Sequence, residues 1–167
     1  MHPCLCHRLL AGESLSAGER RALVEAARRL RSAGGTANLA LAGCHVVVAT
    51  CDWIVRPESR LFEEAAHGLG AHVSRIGQEA LRPGLGPAWN GLLARLYDAI
   101  DCEELSSAAA LNLERTTGVP VFNGLDVETH PLRSFLADMR DKDESNGNVD
   151  HGNLVTLVQA VLIEALA

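Results

Sequence analysis

Aromatic residues are scarce: the 167 residues include two Trp, one Tyr and three Phe. That excludes the stacked aromatic platforms on which single-stranded nucleic acid is held. Positive charge is also short, with 15 Lys plus Arg against 21 Asp plus Glu and a net charge of −6. The chain therefore lacks the basic footprint of a partner for nucleic acid or for an anionic membrane surface. No long uninterrupted apolar run occurs. The most apolar stretch, Leu154 to Ala167, contains Gln159 and Glu164 and reads as too short and too polar to span a bilayer. Five cysteines, Cys4, Cys6, Cys44, Cys51 and Cys102, form an odd set without the pattern of a secretory leader, so no disulfide framework is implied. Reduced thiols and a cytoplasmic location are the expectation. Internal repeats and low-complexity tracts are missing too.

What is present is an ordinary globular composition, 47 % hydrophobic and 22 % charged. At this length it suits one compact domain with a core of its own. Glu19 to Ser32 reads as an amphipathic helix: Leu23, Ala26, Ala27 and Leu30 share one face, and Arg21, Glu25 and Arg29 form an i, i+4 ladder on another. Gly34 and Gly35 end it. Val46 to Ala49 is a β-branched run without alternation, the habit of a strand buried on both faces of a parallel sheet.

The pattern then repeats. A helix is predicted from Pro57 to about Leu69 and a strand over Ala71 to Ile76. A breaker-rich loop runs from Arg82 to Pro87, followed by a helix over Trp89 to Leu96 and a third strand over Tyr97 to Ile100. Ser106 or Ser107 caps a helix through Arg115, Gly118 stops it, and Val119 to Phe122 supplies a fourth strand. Strands alternating with helices predict an α/β fold: a doubly wound, mostly parallel sheet of four or five strands with helices on both faces. Between Ala137 and Gly152 the composition turns polar and linker-like, and a last helix with a wide apolar stripe follows from Leu154.

In an open parallel sheet ligands gather at the carboxyl ends of the strands, which directs attention to Asn123 to Arg133. The segment Gly118-Val119-Pro120-Val121-Phe122-Asn123-Gly124-Leu125, followed by Thr129-His130-Pro131, resembles the aspartate and ornithine carbamoyltransferases. Phe62-Glu63-Glu64-Ala65-Ala66-His67 with Gly70-Ala71-His72-Val73, and Arg95-Leu96-Tyr97-Asp98-Ala99-Ile100, look like the helix and strands of the same family. The resemblance covers roughly residues 10–137 and points to the N-terminal domain of that family, which binds carbamoyl phosphate. Family chains are about twice as long, because a second domain binds the amino-acid acceptor, and their final helix returns to the first domain. Asn153 to Leu162 resembles that returning helix. The resemblance thus implies one domain over residues 1–167, with a main body at 10–137, a polar linker at 138–152 in place of the acceptor domain, and a returning helix at 153–167.

Carbamoyl transfer needs cationic and backbone donors around the phosphate leaving group. Where the family has a Ser-Thr-Arg-Thr-Arg loop, this chain has Val55-Arg56-Pro57-Glu58-Ser59, and where a further family arginine follows the third strand it has Glu103, beside Glu104. Two unit charges about 4 Å apart at an effective dielectric of 20 interact by about 4 kcal/mol, so such reversals disfavour phosphate strongly. His130 matches the family histidine that approaches the carbamoyl carbonyl, while Arg133 stands where the family's His-Pro-x-Gln motif has Gln. The residual anion site implied by the resemblance is His130, Arg133 and Arg56, for a small ligand such as carbamoyl phosphate or phosphate. The plainer reading of His130-Pro131 is a turn that shapes the start of the next helix.

The resemblance also implies a homotrimer and leaves room for a protein partner; no cofactor is implied. The favoured reading is a degenerate carbamoyltransferase-like protein with little or no transfer activity and a binding or assembly role. A functional carbamoyl-phosphate-binding subunit completed by another chain is the alternative. A third reading, of another class, takes His2, Cys4, Cys6 and His7 as ligands of zinc or copper. Cys44, Cys51 and Cys102 read as small core residues at strand edges or ends rather than nucleophiles, His67 and His72 as ordinary helix and strand residues, and the arginines of residues 20–31 as a solvated face able to meet an acidic partner such as the linker of a neighbouring subunit.

Overall fold

The computed structural model describes residues 5–10, 14–33, 39–51, 61–82, 84–103, 105–125, 127–140 and 147–166. Four strands, β1 (His45–Thr50), β2 (His72–Gly77), β3 (Ala99–Cys102) and β4 (Val121–Asn123), form one sheet in the order β2-β1-β3-β4. Every pairing is parallel. The α/β sheet expected from the sequence is present, with four strands. β3 and β4 each begin two residues further along the chain than the apolar runs suggest. Tyr97 ends the preceding helix, and the β3–β4 register begins at Ile100 and Val121.

Local sequence signals set the helix ends. In α2 (Ala17–Ser32) the Ser16 side chain accepts from the Glu19 backbone N–H while the Glu19 carboxylate accepts from the Ser16 N–H at 2.8 Å, a complete capping box. The Ser16 hydroxyl and backbone, then Arg8, hold the Glu19 carboxyl well below the usual carboxylate range. Helix α4 (Pro87–Leu96) opens on proline, whose fixed φ suits a first turn. In α5 (Ser107–Thr117) Ser106 accepts from the Ala109 N–H, and Gly118, at φ 72°, ends the helix in the left-handed conformation that costs glycine least. Helix α3 (Leu61–Gly68) carries Phe62, Ala65 and Ala66 inward; Pro57, its expected start, lies outside the described residues.

The pleat divides the core. Val46, Val48, Ala99 and Phe122 face α2, α3 and the long last helix α7 (Gly147–Leu166). Val47, Ala49, Ile100, Cys102 and Val121 face the other way, onto Leu93 of α4 and Ala110 and Leu113 of α5. Both faces are thereby covered, which is why β1 and β3 read as continuous apolar runs.

Helix α7 begins at Gly147, six residues before the returning helix expected from sequence, so it takes up the second half of the polar stretch. By length and composition Val149–Leu166 is apolar enough to cross a bilayer, contrary to the sequence reading. In this fold, however, Leu157, Val158 and Leu162 are fully buried against the domain's own core. Its docking is specific: Arg31 donates to the Asn153 side chain at 3.0 Å and Gln159 to the Ala65 carbonyl at 3.3 Å. The arginines of α2 meet an acidic segment of their own chain. Arg20 pairs with Asp138 at 2.5 Å, and Arg28 donates to the Asp138 carbonyl at 2.7 Å. Short elements absent from the sequence reading are α1 (Leu5–Leu10), α6 (Leu136–Met139) and two 3-10 turns, Gln78–Leu81 and Pro131–Phe135.

Candidate functional site

From β1 the chain runs outward to β2 and then returns across β1 to β3, so the direction of winding reverses between the two central strands. Such a switch point opens a crevice at the carboxyl ends, where ligands of α/β sheets bind. Its rim is made by Thr50 at the end of β1 and Cys51 after it, Glu103 after β3, and Asn123 at the end of β4 and Gly124 after it. The β1–β3 register pairs Ala49 with Cys102, so Thr50 and Glu103 come next along the two strands. The Thr50 hydroxyl donates to the Glu103 carboxylate at 3.5 Å. Asp101, also buried, points from β3 to the same face of the sheet. Among the described residues the centre of the crevice thus carries two carboxyl groups, Asp101 and Glu103.

The cation nearest in the sheet is already engaged. Arg75 on β2 donates through Nε and Nη2 to both oxygens of Glu63, at 2.7 and 2.5 Å. The Glu63 bonds are the main reason its guanidinium is held above its ordinary pKa, with Glu103 adding to the attraction. Arg56, Glu58 and the rest of residues 52–60, where the family's phosphate loop would lie, fall outside the described residues, as does Glu104.

His130 lies at the far side of the crevice, beyond the turn after β4. Gly124, at φ 66°, extends the β3–β4 ladder by donating to the Cys102 carbonyl at 3.0 Å, and Val127 and His130 close two further turns. The His130 Nδ1 accepts from the Leu132 N–H at 3.2 Å, capping the 3-10 turn Pro131–Phe135. That bond requires an unprotonated Nδ1. Burial, and then the Arg133 charge, push the imidazole down to about 4, so it is neutral at pH 7. Arg133 itself turns back, its Nε donating to the Val127 carbonyl at 3.0 Å. Structure thus brings His130 and Arg133 together but employs both in shaping the turn.

Beside His130 is a cavity of about 20 Å³ lined by Leu9, Asn123, Leu125, Leu132 and Val161. A space of that size holds a single water. The Asn123 amide donates to the Leu105 carbonyl at 2.8 Å, while its Oδ1 is buried and has no hydrogen-bond partner among the described residues. Leu9 places α1 over the end of β4, and the pocket does not admit a carbamoyl phosphate.

Among the other candidates, Cys102 is a buried thiol that donates to the Phe122 carbonyl, and burial followed by the Asp101 charge drives its pKa far up. It is a core residue and no nucleophile. Cys44 is half-buried against the core, whereas Cys51, expected in the core, is exposed just past the end of β1. Of the N-terminal metal candidates, His7 pairs through Nδ1 with Glu114 on α5; His2, Cys4 and the Cys6 side chain lie outside the described residues. Among the described residues no group of three His, Cys, Asp or Glu side chains is arranged to hold a metal ion. Sequence reasoning missed Thr50, whose partner is 53 positions away, although a polar residue closing an apolar strand is a visible signal.

No family model matches the chain. It is 35 % identical over 91 residues to a catabolic ornithine carbamoyltransferase of Mycoplasma capricolum subsp. capripneumoniae, a match covering 53 % of this chain and 29 % of that protein. It is 39 % identical over 80 residues to an ornithine carbamoyltransferase of Cutibacterium acnes, covering 46 % and 24 %. Among solved structures, the ornithine carbamoyltransferase of Pyrococcus furiosus matches with a TM-score of 0.60 at 25 % identity, over 74 % of this chain and 41 % of that one. The catalytic subunit of M. jannaschii aspartate transcarbamoylase shares the fold, with a TM-score of 0.57 at 20 % identity over 74 % and 42 %. About half of the chain is similar in sequence to ornithine carbamoyltransferases, and the matched stretch spans less than a third of the length of these curated relatives.

Proposed function

We propose that this carbamoyltransferase-related domain has little or no transferase activity and serves a binding or assembly role, as a homotrimer in the cytoplasm. One observation carries the reading. At the centre of the crevice, where a phosphate requires positive charge, Glu103 accepts a hydrogen bond from Thr50. A carboxylate about 4 Å from a phosphate oxygen, at an effective dielectric of 20, repels it by about 4 kcal/mol where an arginine would attract it by as much. The use of His130 and Arg133 in shaping the turn supports the same reading, because the cavity beside His130 has room for a single water and not for a ligand of that size.

Calorimetric titration of the whole chain with carbamoyl phosphate, repeated on His130→Ala, tests it. No heat is expected from either protein up to millimolar ligand. Micromolar binding that His130→Ala abolishes overturns the proposal in favour of a subunit whose acceptor site comes from another chain. Light scattering tests the assembly, and a monomer at high concentration contradicts the trimer.

A further inference from the structure

At the opposite rim of the sheet from the crevice, two imidazoles stand side by side. His45 opens β1 and His72 opens β2, and the two are register partners. Neighbouring strands lie about 4.8 Å apart, and partners in a parallel ladder send their side chains to the same face. Here it is the face that carries Val47 and Ile76 further along the same strands. The rings lie 5.0 Å apart between centroids, at 68° to each other, and both residues are exposed. Among the described residues no protein group hydrogen-bonds to a ring nitrogen of either histidine.

We propose that His45 and His72 form a two-point chelate for a borderline divalent transition metal, of the Zn²⁺, Ni²⁺ or Cu²⁺ class. The spacing fits. With a metal–nitrogen distance of about 2.0–2.1 Å and about 1.1 Å more to each ring centre, two imidazoles at a tetrahedral angle on one ion have centroids about 5 Å apart. That is the separation already present, so binding requires rotation of exposed rings and no movement of the strands. Asp98 adds negative charge at this rim, where its carboxylate accepts from the His45 backbone N–H at 2.8 Å. Neutral imidazole suits these ions, whereas Mg²⁺ and Ca²⁺ demand oxygen ligands. With two protein ligands the remaining positions are filled by water or by a donor on another molecule, which makes the site open and exchangeable.

Titration of the full-length chain with NiCl₂ and ZnCl₂ by calorimetry tests the assignment, alongside His45→Ala, His72→Ala and the double variant Cys4→Ser/Cys6→Ser. One ion per chain is expected. Losing an outer partner of a metal ligand weakens binding roughly 10–100-fold, so losing one of two direct ligands should weaken it at least tenfold. The cysteine variant should bind as the parent does, and MgCl₂ should give no heat. His45→Gln and His72→Gln serve if an alanine variant fails to fold, with far-ultraviolet circular dichroism as the check. The assignment is overturned if the parent takes up no ion at millimolar metal, if both histidine variants bind as the parent does, or if the cysteine variant abolishes binding.

Discussion

The Thr50 hydroxyl stands 3.5 Å from the Glu103 carboxylate, joining the carboxyl ends of the two central strands across the switch point of the sheet. Replacing Glu103 by Gln removes the negative charge and keeps a hydrogen-bond acceptor for Thr50. Anion affinity should therefore rise: titration with inorganic phosphate should give stronger binding to Glu103→Gln than to the parent, and stronger still to Glu103→Arg. Equal affinities across the three proteins would show that the crevice is not where an anion would bind.

His130 makes stability depend on pH. Its folded pKa is depressed to about 4 by burial and by Arg133, below an ordinary value of 6.5. Above about pH 6.5 both folded and unfolded chains carry it neutral, and its full contribution is present. As pH falls toward 4 the unfolded chain takes up the proton first, so stability is lost, up to about 3 kcal/mol from this group. His130→Asn retains a capping oxygen and does not titrate. Urea unfolding between pH 7 and 4.5 should give a shallower loss for the variant than for the parent.

The capping box at the head of α2 has a defined worth. Ser16→Ala removes the side-chain acceptor of the Glu19 N–H, and a lost N-cap of this kind costs about 1 kcal/mol. For a chain of this size that corresponds to a fall in Tm of about 2–4 °C. Thermal unfolding at neutral pH measures it, and Ser16→Asp should restore most of the loss.

Helix α7 is tested through its core. Leu157 is completely buried between that helix and the sheet-facing helices, so Leu157→Ala removes apolar burial and leaves a cavity, at a cost of about 2–5 kcal/mol. Leu96→Ala, on the exposed face of α4, should change stability by less than about 0.5 kcal/mol. Denaturant midpoints for the two variants make the comparison. Equal small effects would mean that α7 does not dock as described.

Much of the fold was legible because it rests on neighbours in sequence. The Ser106 cap, the Gly118 stop and the apolar run of β1 are short-range signals, and each lies where the residues suggest. Residues 147–153 misled because they are polar, yet they extend α7, which Asn153 anchors to Arg31 and Asp150 ties to Arg140 through bonds at 3.0 and 2.6 Å. Tertiary contacts outweighed a turn-like composition there. At the candidate site the sequence pointed to His130, whose plainer reading as a turn former is the use the structure shows, and to Glu103, whose partner Thr50 it did not give.

By itself the sequence determined the alternation of strands and helices, the excess of acidic over basic residues and the likeness of about half the chain to carbamoyltransferases, because periodicity, caps and composition act through local or summed properties of the chain. Only the tertiary structure decided that Glu103 meets Thr50 and that His45 stands beside His72. Those relationships depend on strand register and on the direction of each crossover. They are set when apolar faces separated by tens of residues are buried together, and no short window of sequence contains them.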